Sequence, residues 1–175
     1  MPRPLTSVFL GLSLDGCIAG PDGDLSFLDT VATDPPEDTG FETLLRTADA
    51  LVMGRNTYET AAGFDPWPYA GKRTLVLTHR PLAARAGVET RSGPLADILD
   101  ALGAEGVAHV YLDGGEIVRQ ALAADLVDRL TLSWVPVVLG KGLRLFDGDS
   151  PTRRLKLEGV ASFPSGLAQT RYVRG

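Results

Sequence analysis

Three short stretches of this 175-residue chain carry residue types that can hold an anion: Gly54-Arg55-Asn56-Thr57, Thr78-His79-Arg80 and Gly114-Gly115-Glu116. The last follows the β-branched run Val107 to Leu112 and precedes Ile117, Val118, Ala121 and Leu122, which share one helical face. That pattern reads strand, tight turn, helix. A Gly pair at such a junction permits positive φ and removes the Cβ atoms that would keep a ligand from the backbone N–H groups. Free N–H groups and the positive end of the helix dipole then attract an anion such as phosphate. Gly54 repeats the arrangement after Ala50-Leu51-Val52-Met53. There Asn56 or Thr57 can cap the helix through a side-chain oxygen, and Arg55 adds a permanent charge. Thr78-His79-Arg80 lies past a further strand, Lys72 to Thr78. His79 and Arg80 can donate charge-assisted hydrogen bonds to a phosphate. For proton transfer the candidates are Asp15, at the end of the apolar run Ser7 to Leu14, and Asp38 and Glu42 around the first helix, where Glu37 is a further carboxylate. Burial of Asp15 beneath Ile18 and Phe27 would raise its pKa and suit it to donate a proton; the alternative is an Asp-Gly turn cap.

The elements that position these residues alternate. Asp34-Pro35-Pro36 suits a helix start, and Phe41, Leu44, Leu45 and Ala48 continue it to a predicted end near Asp49. A short strand near Val88 to Thr90 and a helix with Leu95, Ile98, Leu99 and Leu102 on its apolar face come before the central unit. Leu126 to Leu139 reads as a long strand with a bulge or edge at Pro136. Lys156 to Phe163 and Leu167 to Val173 form a terminal hairpin. The fold expected is α/β: a mixed, mostly parallel central sheet flanked by helices, with an antiparallel C-terminal hairpin. Ligands of such sheets lie beyond the carboxyl ends of the strands, where all three anion stretches fall. The long connection from Cys17 to Leu28 reads either as a binding lid or as a packed surface loop.

Length predicts one domain over 1–175, large enough to bury about 70% of its unfolded surface. A single cysteine, Cys17, excludes an internal disulfide, and with two histidines it does not make a zinc site, so no metal is expected. No run of ~18 apolar residues or leader-type segment occurs, which points to a cytoplasmic chain without a membrane partner. The net charge of −5 disfavours nucleic acid and leaves a small molecule as the expected ligand. Trp134, Val135, Val137, Val138 and Leu139 form apolar surface that predicts a two-fold homodimer.

With these motifs assembled, the chain resembles the dihydrofolate reductase-like superfamily, and more closely the reductase-domain family of the bifunctional riboflavin-biosynthesis deaminase-reductase. The matching segments are Ser13 to Ala19, Leu51 to Tyr58, Asp113 to Glu116, and Leu126-Val127-Asp128 continuing to Pro136 through Phe146, in the family's order. The resemblance implies a dihydrofolate reductase-like fold that binds NADPH across the carboxyl edge of its sheet. It implies Gly54, Arg55, Asn56 and Thr57 at the pyrophosphate and neighbouring phosphate, and Gly114, Gly115 and Glu116 also at the pyrophosphate. Thr78, His79 and Arg80 would meet the adenosine side with its 2′-phosphate, and Ile18 and Ala19 the nicotinamide. The activity implied is hydride transfer from NADPH to a C=N or C=O carbon of a pterin, pyrimidine or related heterocycle, with a carboxylate assisting protonation. Met53 to Tyr58 looks more like dihydrofolate reductase itself than the riboflavin-pathway enzymes, so the substrate stays open between the two. A nucleotide-binding module without turnover is the alternative. A Rossmann dehydrogenase is disfavoured because no Gly-x-Gly-x-x-Gly follows a strand.

Overall fold

The computed structural model describes residues 2–83, 85–148 and 151–175. An eight-stranded sheet runs through it, built from β1 (Leu5–Ser13), β3 (Ala50–Gly54), β4 (Arg73–Leu77), β5 (Val88–Arg91), β6 (His109–Asp113), β7 (Arg129–Val135), β9 (Leu155–Ser162) and β10 (Ala168–Arg174). Their order across the sheet is β5-β4-β3-β6-β1-β7-β10-β9. The first six are mutually parallel, while β10 is antiparallel to both β7 and β9. This is the mixed sheet with a terminal hairpin that the sequence leads one to expect.

Because strand side chains alternate between faces, β6 divides its burial: Val110 and Leu112 enter one core, Tyr111 the other. On the first face α3 (Leu95–Ala104) and α4 (Gly115–Ala123) pack Leu99, Leu102, Ile117 and Val118 against Val52, Leu75 and Leu112. On the second, α1 (Phe41–Thr47) and α2 (Arg55–Ala62) cover Leu51, Met53, Val76 and Tyr111. The helices that follow β3 and β6 therefore lie on opposite faces, although those strands are neighbours. Their connections also run opposite ways, β3 to β4 and β6 to β7, so the sheet has its topological switch point between them.

Four expectations need correction. The first helix starts at Phe41 and ends at Thr47, because Gly40 at φ 86° and the turn around Asp38 precede it. Asp38 and Glu37 thus lie before the helix. The predicted strand from Leu126 to Leu139 ends at Val135, and β7 is interior, between β1 and β10. Its apolar continuation is mostly covered within the chain, since Val137 and Leu139 pack with Phe27, Val135 and Leu167, leaving Val138 exposed. Lastly, Asn56 and Thr57 do not cap α2: Gly54 is the N-cap and makes no side-chain cap bond.

The connection after β1 is a built structure. β2 (Cys17–Ala19) pairs with the two-residue β8 (Leu143–Arg144), followed by 3-10 turns over Pro21–Gly23 and Ser26–Val31. Phe27 is buried there, a contribution of about 1.5–3 kcal/mol that holds the segment down on β7. No helix among the described residues is long and apolar enough to cross a membrane.

Candidate functional site

At the switch point the starts of α2 and α4 meet. Gly114, at φ 88°, stands so close to Thr57 that a Cβ built on it would lie 2.1 Å from the Thr57 hydroxyl oxygen. Gly115 is equally confined, since a Cβ there would lie 2.3 Å from Cδ1 of Ile18. The glycine pair is therefore what lets two helix N-termini and β2 converge. Neither helix start is capped by a side chain, which leaves first-turn N–H groups for a ligand.

Beside this junction lies a cleft of about 310 Å³ lined by Gly54, Arg55, Asn56, Thr57, Thr78, His79 and Glu116 among others. The sequence stretches at the three strand ends thus come together in one place. Arg55 is fixed in place: its Nε donates to Glu59 at 2.6 Å and one NH group to the carbonyls of Arg80 and Pro81 at 3.4 and 3.1 Å. Thr78 turns the chain by accepting from the Arg80 N–H at 3.1 Å. His79 is exposed on the cleft wall, while Arg80 is exposed outside the lining and serves it through its carbonyl. Glu116 reaches Arg119 and Gln120, which hold its carboxyl below the usual range, with Gln120 the larger influence. Ser92, Gly93 and Gln120 also line the cleft and were not anticipated. They come from the end of β5 and the second turn of α4, and only the strand order brings them near Arg55.

Ile18 packs over Gly115, and Ala19 is buried beside Gly142, whose Cβ, were there one, would meet the Ala19 carbonyl at 2.3 Å. Asp15 lies at the same sheet edge, and its bonds favour a structural role over that of an acid. Its carboxylate accepts from the Ser13 hydroxyl at 2.7 Å and from the N–H groups of Leu139 and Gly140 at 3.0 and 2.8 Å. Those bonds, led by Ser13, bring its pKa down to about 2, the opposite of the rise a proton donor at neutral pH needs. Asp15 clamps the 137–145 strap to the first strand. Asp38 accepts from the Gly40 N–H, and Glu42 is exposed on the first turn of α1; neither reaches the cleft lining.

Another carboxylate, to which the sequence assigned no role, is buried at the switch point. Asp113 ends β6 at the switch point and is 8% exposed. The Tyr69 hydroxyl donates to one oxygen at 2.7 Å and the Gly114 N–H to the other at 2.8 Å. Burial outweighs these bonds and pushes its pKa up. The same burial, with the Asp113 charge, pushes Tyr69 up as well. Around the pair an aromatic cluster of the core packs edge-on or tilted, Tyr58 to Trp67 to Tyr69 and Phe9 to Phe41 to Tyr111. Among the described residues no cluster of potential metal ligands occurs.

The model of the RibD C-terminal domain matches residues 4–168. The chain belongs to that family. YwjB of Bacillus subtilis (strain 168), an uncharacterized protein, is 31% identical over 172 residues, covering 97% of each chain. A solved Shewanella sp. PV-4 structure named for riboflavin biosynthesis is 35% identical, superposes with a TM-score of 0.90, and is matched over 98% of this chain and 99% of its own. The Thermotoga maritima diaminohydroxyphosphoribosylaminopyrimidine deaminase/5-amino-6-(5-phosphoribosylamino)uracil reductase shares the fold, with a TM-score of 0.70 at 17% identity, over 99% of this chain and 57% of that one. This RibD C-terminal domain accordingly has a dihydrofolate reductase-like fold.

Proposed function

We propose that this RibD C-terminal domain is a cytoplasmic NADPH-dependent reductase of a small C=N or C=O compound, a pterin, a pyrimidine or a related heterocycle. The observation that carries the reading is the meeting of two uncapped helix N-termini at Gly114 and Thr57, beside Arg55 and His79 in one cleft. These residues fit a dinucleotide. The amides of Gly54 to Thr57 and of Gly114 to Glu116 would hold the pyrophosphate, and Arg55, Thr78 and His79 would meet the 2′-phosphate side. Bound there, the cofactor supplies the hydride, while the chain supplies alignment. Ile18 and Ala19 pack where the nicotinamide would be oriented and screened from water. Asp113, whose pKa burial raises, replaces Asp15 as our candidate for the group that delivers a proton near the acceptor.

One observation favours the second reading, a binding module without turnover: Tyr69 and Gly114 already engage both Asp113 oxygens. Calorimetry and consumption of reduced nicotinamide separate the two. NADPH bound more tightly than NADH and oxidised with a heterocyclic acceptor supports the reductase; tight binding without oxidation across acceptors supports the module. No binding of either cofactor sinks both. We also propose a two-fold homodimer over the outer strand β9, where Leu157 and Val160 are exposed. Light scattering should give twice the chain mass, and a monomer would refute it.

A further inference from the structure

Ile18 is held over Gly115 by more than its own short strand. β2 pairs with β8, and the strap that carries β8 is fastened to the end of β1. The Leu139 and Gly140 N–H groups donate to the Asp15 carboxylate, Arg144 donates to the Asp15 carbonyl at 2.9 Å, and the Leu145 N–H donates to the Gly16 carbonyl at 3.0 Å. Leu145 is fully buried in the core cluster against which Ile18 packs. Strap and β2 are therefore one unit, carried by the end of β1.

Arg119 attaches that unit to the opposite wall of the cleft. It lies one helical turn beyond Gly115 on α4, and because helical side chains lean toward the N-terminus, it comes back over that glycine. A Cβ built on Gly115 would meet an Arg119 NH nitrogen at 3.3 Å and Ile18 at 2.3 Å, so the guanidinium and Ile18 stand together on the first turn of α4. From there one NH group donates to the Arg144 carbonyl at 3.0 Å and the other to Glu116 at 3.1 Å, while Nε lies 3.2 Å from the Asp147 carboxylate just past the strap. Two of these partners belong to the strap side, and the third lines the cleft.

A lone exposed ion pair contributes little, because solvent screens it and two long side chains must be ordered. Arg119 differs in that its side chain is only 25% exposed and uses all three guanidinium nitrogens at once, a planar fork that a lysine cannot reproduce. It is not part of the cleft lining, and its donors are directed at Arg144, Asp147 and Glu116 rather than into the cleft.

Resting on the reductase reading, we infer that Arg119 is a positioning residue for the nicotinamide half of the cofactor: by tying the β2–β8 unit to α4 it fixes Ile18 over Gly115. The adenosine half is left to Arg55, Thr78 and His79, which Arg119 does not contact. Without the tie, Ile18 and the strap behind it can withdraw from α4, and the nicotinamide loses the surface that orients it and screens it from water.

The test compares two ligands on the full chain by calorimetry: NADPH, and 2′,5′-ADP, which carries the adenosine half without the nicotinamide. The emission of the reduced nicotinamide ring, which changes when the ring is held away from water, is followed alongside. In Arg119→Ala, 2′,5′-ADP affinity should stay within about two-fold of the parent while NADPH weakens on the order of ten-fold, the scale of losing one buried aliphatic contact. The emission of bound NADPH should return toward that of the free cofactor. Asp147→Lys cuts the tie from the strap side with Glu116 still paired, so it should show the same split, and it carries the test if Arg119→Ala fails to fold. Arg119→Lys keeps the charge without the fork and should recover only part of the loss. Equal weakening of both ligands would place Arg119 at the phosphate end and overturn the inference. So would a lowered Tm with parent-like binding of NADPH, or a parent that binds 2′,5′-ADP as tightly as NADPH with no change in emission. A parent that binds neither ligand defeats the underlying reductase reading instead.

Discussion

Gly114→Ala is the sharpest perturbation of the helix junction. Gly114 has φ 88° and ψ 144°, a region essentially reserved for glycine, and forcing a side chain into it costs about 1–3 kcal/mol. The new methyl would also lie 2.1 Å from the Thr57 Oγ1 and 3.0 Å from its Cβ. Real Cβ contacts do not come that close, so α2 must move, at an overpacking cost of about 1–3 kcal/mol. The two effects together amount to ~2–6 kcal/mol, or a fall in Tm of roughly 4–24 °C for a domain of this size. Thermal unfolding reads that loss, and an NADPH titration reads the accompanying separation of the two N-termini as weaker binding. Thr57→Ala removes the closest atom but leaves the backbone strain, so the double variant should recover ~1–2 kcal/mol over Gly114→Ala alone. A Gly114→Ala protein that melts with its parent, or a Thr57→Ala background that gives no relief, would refute the reasoning.

Arg55→Ala should weaken NADPH by about 1.5–3 kcal/mol and NADH less, because the lost group is a charged donor; equal losses measured by calorimetry would assign Arg55 to the Glu59 contact alone. Asp113→Asn bears on pH. The folded pKa of Asp113 is raised, so its contribution to stability is full below the unfolded value near 3.8 and is lost as pH rises through the folded one. The Asn variant should therefore have denaturation midpoints that fall less with rising pH than the parent's, together with reduced turnover; parallel midpoint curves would contradict the burial argument. For Asp15 the sign is reversed: its lowered pKa gives stability present above 3.8 and lost as pH falls through about 2. Asp15→Asn should lower Tm at neutral pH while NADPH oxidation persists, and a variant that melts normally but no longer turns over would restore Asp15 as an acid.

The parts of the site legible in the sequence are those encoded locally. Gly54 and Gly114 each sit between a strand-type run and a helical face, and that signal is complete within a dozen residues. The order of motifs extended it to the whole sheet. What the sequence hid depends on distant partners. Asp113 drew no role of its own because Tyr69, which gives it its setting, is 44 residues away. Asp15 stayed open between an acid and a turn cap because nothing beside it reveals the Leu139 and Gly140 amides, 124 and 125 residues on. β2 and β8 are too short to show a period, and the first helix was drawn too long because Asp38 and Glu37 face outward bonds, to Gly40 and Ser165, that no periodicity reports.

The central claim is that one cofactor lies across the α2 and α4 N-termini, and a crystal structure of the NADPH complex tests it most directly. The account predicts pyrophosphate oxygens within hydrogen-bond reach of the amides at Gly54 to Thr57 and Gly114 to Glu116. It also places the 2′-phosphate beside Arg55 and His79, and the nicotinamide against Ile18 and Ala19. A pyrophosphate bound elsewhere, or a cofactor whose nicotinamide points away from Asp113, would contradict it.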